Sequence, residues 1–198
     1  MNAVARLVAA VDAVLDGAPV DPDPAAQREM CARMRPAMAA LLADPDPLPE
    51  GAEDDLDGAA VGNLLHADPG GRYHILAVVF PEGTSSGVHH HGCWGVIGYL
   101  RGGDEETRYR PVADAPGTEL EEASRHVWHQ GDITELLPPD DGWHRVRNPG
   151  PGPGVSVHIL CMTPTAHPHM FFDRTSGSVL PFPFVEAAPG RWRAEIRG

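Results

Sequence analysis

The 198-residue chain contains no lysine; all 15 of its basic residues are arginine. That removes chemistries needing an amine at a fixed place: Schiff bases, pyridoxal phosphate anchored through Lys, and a P-loop. Positive charge is scarce overall, because 28 Asp and Glu stand against those 15 residues, a formal net charge of −13. Such a surface repels phosphate backbones and anionic lipid, so nucleic acid and membranes are poor partners. The three cysteines, Cys31, Cys93 and Cys161, lie far apart with no C-x-x-C between them. Neither a zinc knuckle nor a dithiol motif is written, and reduced thiols in a cytoplasmic protein are expected. No uncharged apolar run approaches the ~18 residues of a membrane span. Arg6, Asp12 and Asp16 interrupt the N-terminal stretch where a signal-peptide core would lie. What remains is ordinary globular composition, 42% hydrophobic and 22% charged, enough for a single domain with its own core.

Two textures divide the chain. Up to about residue 50 it reads as helix. Val4, Leu7, Val8, Val11, Val14 and Leu15 recur at three- and four-residue spacing. The same pattern runs from Gln27 to Leu42 through Met30, Cys31, Met34, Met38, Leu41 and Leu42, with Pro36 inside it predicting a kink or a split. The row Met30, Met34, Met38 reads as a packing face. DPDPLPE (44–50) is a stop. Beyond it, short β-rich runs alternate with Gly, Pro and Asp clusters. Strands are predicted near 73–80, 87–92, 94–100, 105–110, 119–127, 132–137, 144–147 and 155–162, the spacing of a sandwich or closed barrel. The tail from 163 to 198 reads as loops wrapping that barrel.

Eleven histidines are many for this length, and three fall in one run, Val88-His89-His90-His91-Gly92. Residues two apart share a strand face, so His89 and His91 point one way and His90 the other. Two imidazoles on one face can converge on one metal; a surface His run is the alternative. Gly83 lies six residues before His89, and Gly102 eleven after His91. Gly131-Asp132, Pro138-Pro139, Gly142-Trp143-His144 and Asn148 follow in order.

These positions resemble the two bipartite motifs of the cupin superfamily, with an extra residue between Gly131 and the prolines. The resemblance implies an all-β chain: a single cupin (double-stranded β-helix) barrel spanning 51–198, with residues 1–50 as an N-terminal helical appendage. It also implies a metal held by His89, His91 and His144. Most cupins add a Glu four or five residues after the second His; here Gly95 and Val96 stand there. A site of three neutral imidazoles leaves a metal its full charge and open positions for an anionic ligand. This pattern resembles the thiol dioxygenases of the cysteine dioxygenase type. The segment GRYHILAVVFPEGTSSGVHHHGCWGVIGYLRG (71–102) looks most like the bacterial branch acting on 3-mercaptopropionate.

The resemblance implies Fe(II) as cofactor, a small-molecule thiol and O2 as substrates, and a sulfinate as product. Ser156 and His158 match two members of the family's Ser-His-Tyr relay; the third position is Leu160. Tyr99 shares the parity of His89 and His91 and is a substitute hydroxyl or a core residue. Trp94 and Trp143 flank the ligands and are pocket candidates or ordinary core aromatics; Cys93 reads first as a small buried hydrophobe and second as a pocket residue. Gly62 and His169 stand where relatives keep a carboxylate-binding Arg, so cysteine should be a poor substrate. Two other functions fit the three-His pattern: a dioxygenase cleaving a carbon–carbon bond in a β-diketone, and a non-catalytic cupin binding a small ligand.

Overall fold

A computed structural model describes residues 1–112, 119–137, 142–162, 170–173, 176–181 and 184–194. Helix α1 spans Ala3–Leu15 and α2 spans Pro24–Leu42. Both start on a side-chain cap that accepts a backbone N–H otherwise without an intrahelical partner: Asn2 from Ala5 and Asp23 from Ala26, each at 2.8 Å. Pro24 opens α2, where its missing N–H costs nothing. The helix runs on through Pro36 without splitting. Pro36 forfeits one backbone bond, but Met30, Cys31, Met34, Met38 and Leu41 are all buried on one side, and that packing holds the helix together.

Thirteen strands follow among the described residues: β1 Val61–Ala67, β2 Tyr73–Phe80, β3 His89–His90, β4 Trp94–Arg101, β5 Gly103–Pro111, β6 Leu120–His129, β7 Ile133–Leu136, β8 Trp143–Arg147, β9 Gly154–Cys161, β10 Met170–Asp173, β11 Ser178–Pro181, β12 Phe184–Ala188 and β13 Arg191–Ala194. They form two antiparallel sheets, ordered β12-β13-β1-β2-β9-β4-β7 and β11-β10-β3-β8-β5-β6. Face to face, these make the double-stranded β-helix of a cupin barrel, with the two helices as an N-terminal appendage.

Strand parity sorts the seven-stranded sheet into two faces. Ile75, Ala77 and Val79 of β2, Val96 and Leu100 of β4, and Val155, Val157 and Ile159 of β9 join the helix residues Leu7, Val11, Met34 and Met38 in one apolar core. The main core therefore lies between helices and sheet, outside the barrel. Gly98 marks the closest approach: a Cβ there would sit 2.6 Å from the Met38 sulfur. The opposite parity, Leu76, Val78, Ile97, Tyr99, Ser156, His158 and Leu160, turns toward the six-stranded sheet.

The tail departs from the loops expected of it. Its described parts are strands, and they complete both sheets: β13 pairs with β1, and β10 pairs with β3 at Met170↔His90 and Phe171↔His89. Strands of only four or five residues carry almost no periodic signal, and the Pro and Arg of this region mask what there is. β1 also goes beyond the expected strands. β3 is only two residues long, shorter than the 87–92 run predicted.

Candidate metal centre and its cavity

β3 and β8 are neighbours, with His89 directly opposite His144. His91 lies just past β3, where Gly92 at φ 64° turns the chain toward β4. The three imidazoles meet through Nε2: His89 to His91 3.0 Å, His91 to His144 3.0 Å and His144 to His89 3.1 Å. All three are buried and form a group able to hold a metal ion. His90 points elsewhere, accepting from the Gly92 N–H at 2.9 Å and resting on the Trp143 ring.

The partners of the other ring nitrogens decide the tautomers. His144 Nδ1 donates to Glu106 Oε1 at 2.7 Å, and His89 Nδ1 donates to the Gly87 carbonyl at 3.3 Å. Both acceptors lack a proton, so the Nε2 atoms of His89 and His144 turn lone pairs toward the cluster. Converging lone pairs repel unless a cation fills the space. The spacing fits one: ligands about 2.1 Å from an ion and 90° apart lie about 3.0 Å from each other, whereas tetrahedral ligands lie about 3.4 Å apart. The residues present therefore fit a metal held on one face, with the other face open.

Glu106 is the functional residue that sequence reasoning passed over. It also accepts from Trp128 Nε1 at 2.9 Å and pairs with Arg108 at 3.2 Å. Burial pushes its carboxyl up, but His144, Arg108 and Trp128 outweigh burial and hold it at about 2. The cluster has no carboxylate of its own, yet one stands directly behind it. A carboxylate on the far side of a ligating imidazole fixes the ring and raises its basicity. The available signal was Asp104, Glu106 and Arg108 alternating along a strand, three charges on one face.

A Glu at position 95 or 96 would not reach the cluster. A Cβ on Gly95 would lie 1.8 Å from the Ile159 carbonyl oxygen, and Val96 faces the helices. Neither position can send a carboxylate to the histidines. Other motif positions serve the backbone. Gly83, Gly102 and Gly131 adopt φ of 75°, 63° and 90°. Asn148 donates to the carbonyls of Phe80 and Gly152, both at 2.8 Å, and clamps a turn.

A cavity of about 90 Å³ separates the sheets beside the three histidines. Ser156 and His158 line its far wall, Ser156 Oγ lying 2.9 Å from His158 Nε2. Leu160 follows on the same face. Tyr99 lines it too, opposite Ser156 in register and stacked on Trp128. Burial, with Glu106 and Asp104 nearby, raises the Tyr99 phenol well above its usual range, so it stays protonated. Gly62 is in the wall, beside Trp192 of β13.

Three expected pocket residues do not line this cavity. Trp94 has the helix-facing parity and belongs to the outer core. Trp143 alternates with inward-facing His144 and packs outside against His90 and Phe172. Cys93 sits in a small apolar cluster with Leu136 and Leu160, its thiol pushed up to about 12 by burial. His169 lies outside the described residues, as do Pro138 and Pro139 of the second motif.

No family model matches the chain. Similar solved structures include a protein with a double-stranded β-helix domain from Klebsiella pneumoniae: 15% identical, 59% of this chain and 81% of that one, TM-score 0.44. A cupin superfamily protein from Desulfitobacterium hafniense is 14% identical over 60% of this chain and 93% of that one, TM-score 0.43. A Cupin 2 conserved barrel domain protein from Salinispora arenicola is 20% identical over 60% and 89%, TM-score 0.43. No helix among the described residues is long and apolar enough to cross a membrane.

Proposed function

We propose that this protein is a mononuclear non-heme Fe(II) thiol dioxygenase, oxidising a small-molecule thiol to its sulfinate with O2. The observation carrying the reading is the cluster of three Nε2 atoms 3.0–3.1 Å apart, with no carboxylate among them. Three neutral ligands suit an iron that must also accept an anionic thiolate and dioxygen. Fe(II) bound by His89, His91 and His144 would lower the thiol pKa and bring the two substrates together.

The chain's own groups do the rest. Glu106 holds the His144 proton on Nδ1 and so keeps Nε2 available. The wall of Val78, Ile97, Val146 and Leu160 excludes water from the substrate tail. Ser156 and His158 form a hydrogen-bonded pair facing the histidines across the cavity, able to hold or pass a proton there. Tyr99 adds a protonated phenol beside Ser156, which answers the absence of a hydroxyl at Leu160. Two oxygen atoms end on sulfur, a step up the oxidation ladder made deliberately on a small molecule.

The largely apolar wall also favours a second reading, oxidative cleavage of a β-diketone. Oxygen uptake by the Fe(II)-loaded protein with a panel of thiols and β-diketones separates the two. Thiol-dependent uptake with sulfinate formed in equal amount is the expected result. Uptake with diketones alone overturns the thiol reading, and uptake with neither leaves a binding protein. Cysteine is expected near the bottom of the thiol series, because no Arg among the described residues lines the cavity.

A further inference from the structure

Asp104 begins the inward face of β5 and forms part of the cavity wall. It is 2% exposed, and its Oδ1 is buried with no hydrogen-bond partner among the described residues. The contrast with Glu106, two residues along the same face, is sharp: Glu106 is met by an imidazole, an indole and a guanidinium. The polar group near Asp104 is already committed, since Asn148 Nδ2 donates to Phe80 and Gly152. Gly154 leaves Asp104 its room: a Cβ there would lie 3.0 Å from Oδ1.

A buried carboxyl oxygen without a partner is unfavourable, and folded chains rarely carry one unless something else satisfies it. Burial and the Glu106 charge push Asp104 up to about 7, a burden that a bound cation would lift. Among the described residues no such cation is on hand, for the chain has no Lys and no described Arg lines the cavity. The charge must come with the ligand.

We infer that Asp104 is the specificity-determining residue of this cavity, anchoring the protonated amine of a short ligand whose other end meets the three-histidine cluster. The cavity of about 90 Å³ is small, which suits a short ligand. Resting on the thiol reading above, the substrate class becomes a short aminothiol without a carboxylate. A carboxylate would meet Asp104 as a like charge.

The test has two arms. In the first, calorimetry on metal-free protein at pH 8 compares n-propylammonium with n-propanol, in wild type and in Asp104→Asn. The ammonium is expected to bind wild type at least tenfold more tightly than the alcohol, and Asp104→Asn to erase that preference. Equal binding of the two probes by wild type overturns the inference, whether or not the variant folds. In the second arm, Fe(II)-loaded protein is assayed with 2-aminoethanethiol and 2-mercaptoethanol. The ratio of their kcat/KM values is expected to fall at least tenfold in Asp104→Asn. Oxygen uptake with neither thiol, alongside intact ammonium binding, sinks the thiol reading and leaves Asp104 as an amine anchor. Thiol turnover with an unchanged ratio sinks Asp104 and leaves the dioxygenase.

Discussion

At the scale of single residues, the histidines divide by what their rings face. His89, His91 and His144 turn Nε2 to a common point, while His90 spends its Nδ1 on the Gly92 amide. Replacing any of the three by Ala should abolish stoichiometric binding of a divalent metal, and His90→Ala should leave it intact. Metal analysis after gel filtration reads this directly; full loading of His144→Ala would remove the assignment. Glu106 acts one step further back. Glu106→Gln keeps an acceptor for His144 Nδ1 but deletes the charge that makes the ring a strong ligand. Loss of such a partner costs about 10–100-fold in metal affinity. Competition with a chelator should show a decrease of that size, with the three-His cluster still present.

At the scale of elements, β9 explains most of the molecule. It is buried along its whole length, because one face meets the helices and the other the cavity. Its neighbour β4 must come close, and Gly95 is where the backbones touch. Installing an acid as Gly95→Glu should therefore break the strand pair before it adds a ligand. Gly95→Ala should do nearly as much harm, since the conflict begins at Cβ. A cost of about 4 kcal/mol lowers the melting midpoint of a chain this size by roughly 10 °C. A Gly95→Glu protein that melts like wild type and binds metal more tightly would contradict the packing described.

At the scale of the whole molecule, acidity is set partly by the interior. Asp104 holds a proton in the folded chain between its ordinary 3.8 and about 7, whereas the unfolded chain has released it. The folded state then binds more protons, so this group makes stability fall as pH rises through that window. In metal-free protein, Asp104→Asn should melt above wild type at pH 8 and level with it below pH 4. A constant difference across that range would mean that Asp104 is not buried as a neutral acid.

How much of this was legible beforehand depended on the length of the signal. The helices, with apolar rows such as Val4, Leu7, Val11 and Val14, were readable, as were β2, β4 and β9, each eight residues long. Parity placed His89 with His91 and, correctly, Tyr99 in the same interior. The same parity puts Trp94 and Trp143 outside the cavity; naming them pocket candidates gave nearness in sequence to a ligand more weight than face. Asp104 and Glu106 were hidden among 28 acids, most of which have ordinary reasons to be at the surface. The closing strands β10 to β13 were hidden by their shortness.

Those late strands give the molecule a timetable. A ribosome releases the helices, then β1 to β9, and only afterwards the residues that flank the first ligand strand. β8 supports one edge of β3, but Phe171 and Met170 support the other, and Phe172 donates to the Val88 carbonyl at 2.9 Å. Until that segment emerges, His89 sits on a two-residue strand paired along one edge only. The three-histidine group would then be complete for a metal ion only once that segment has been made.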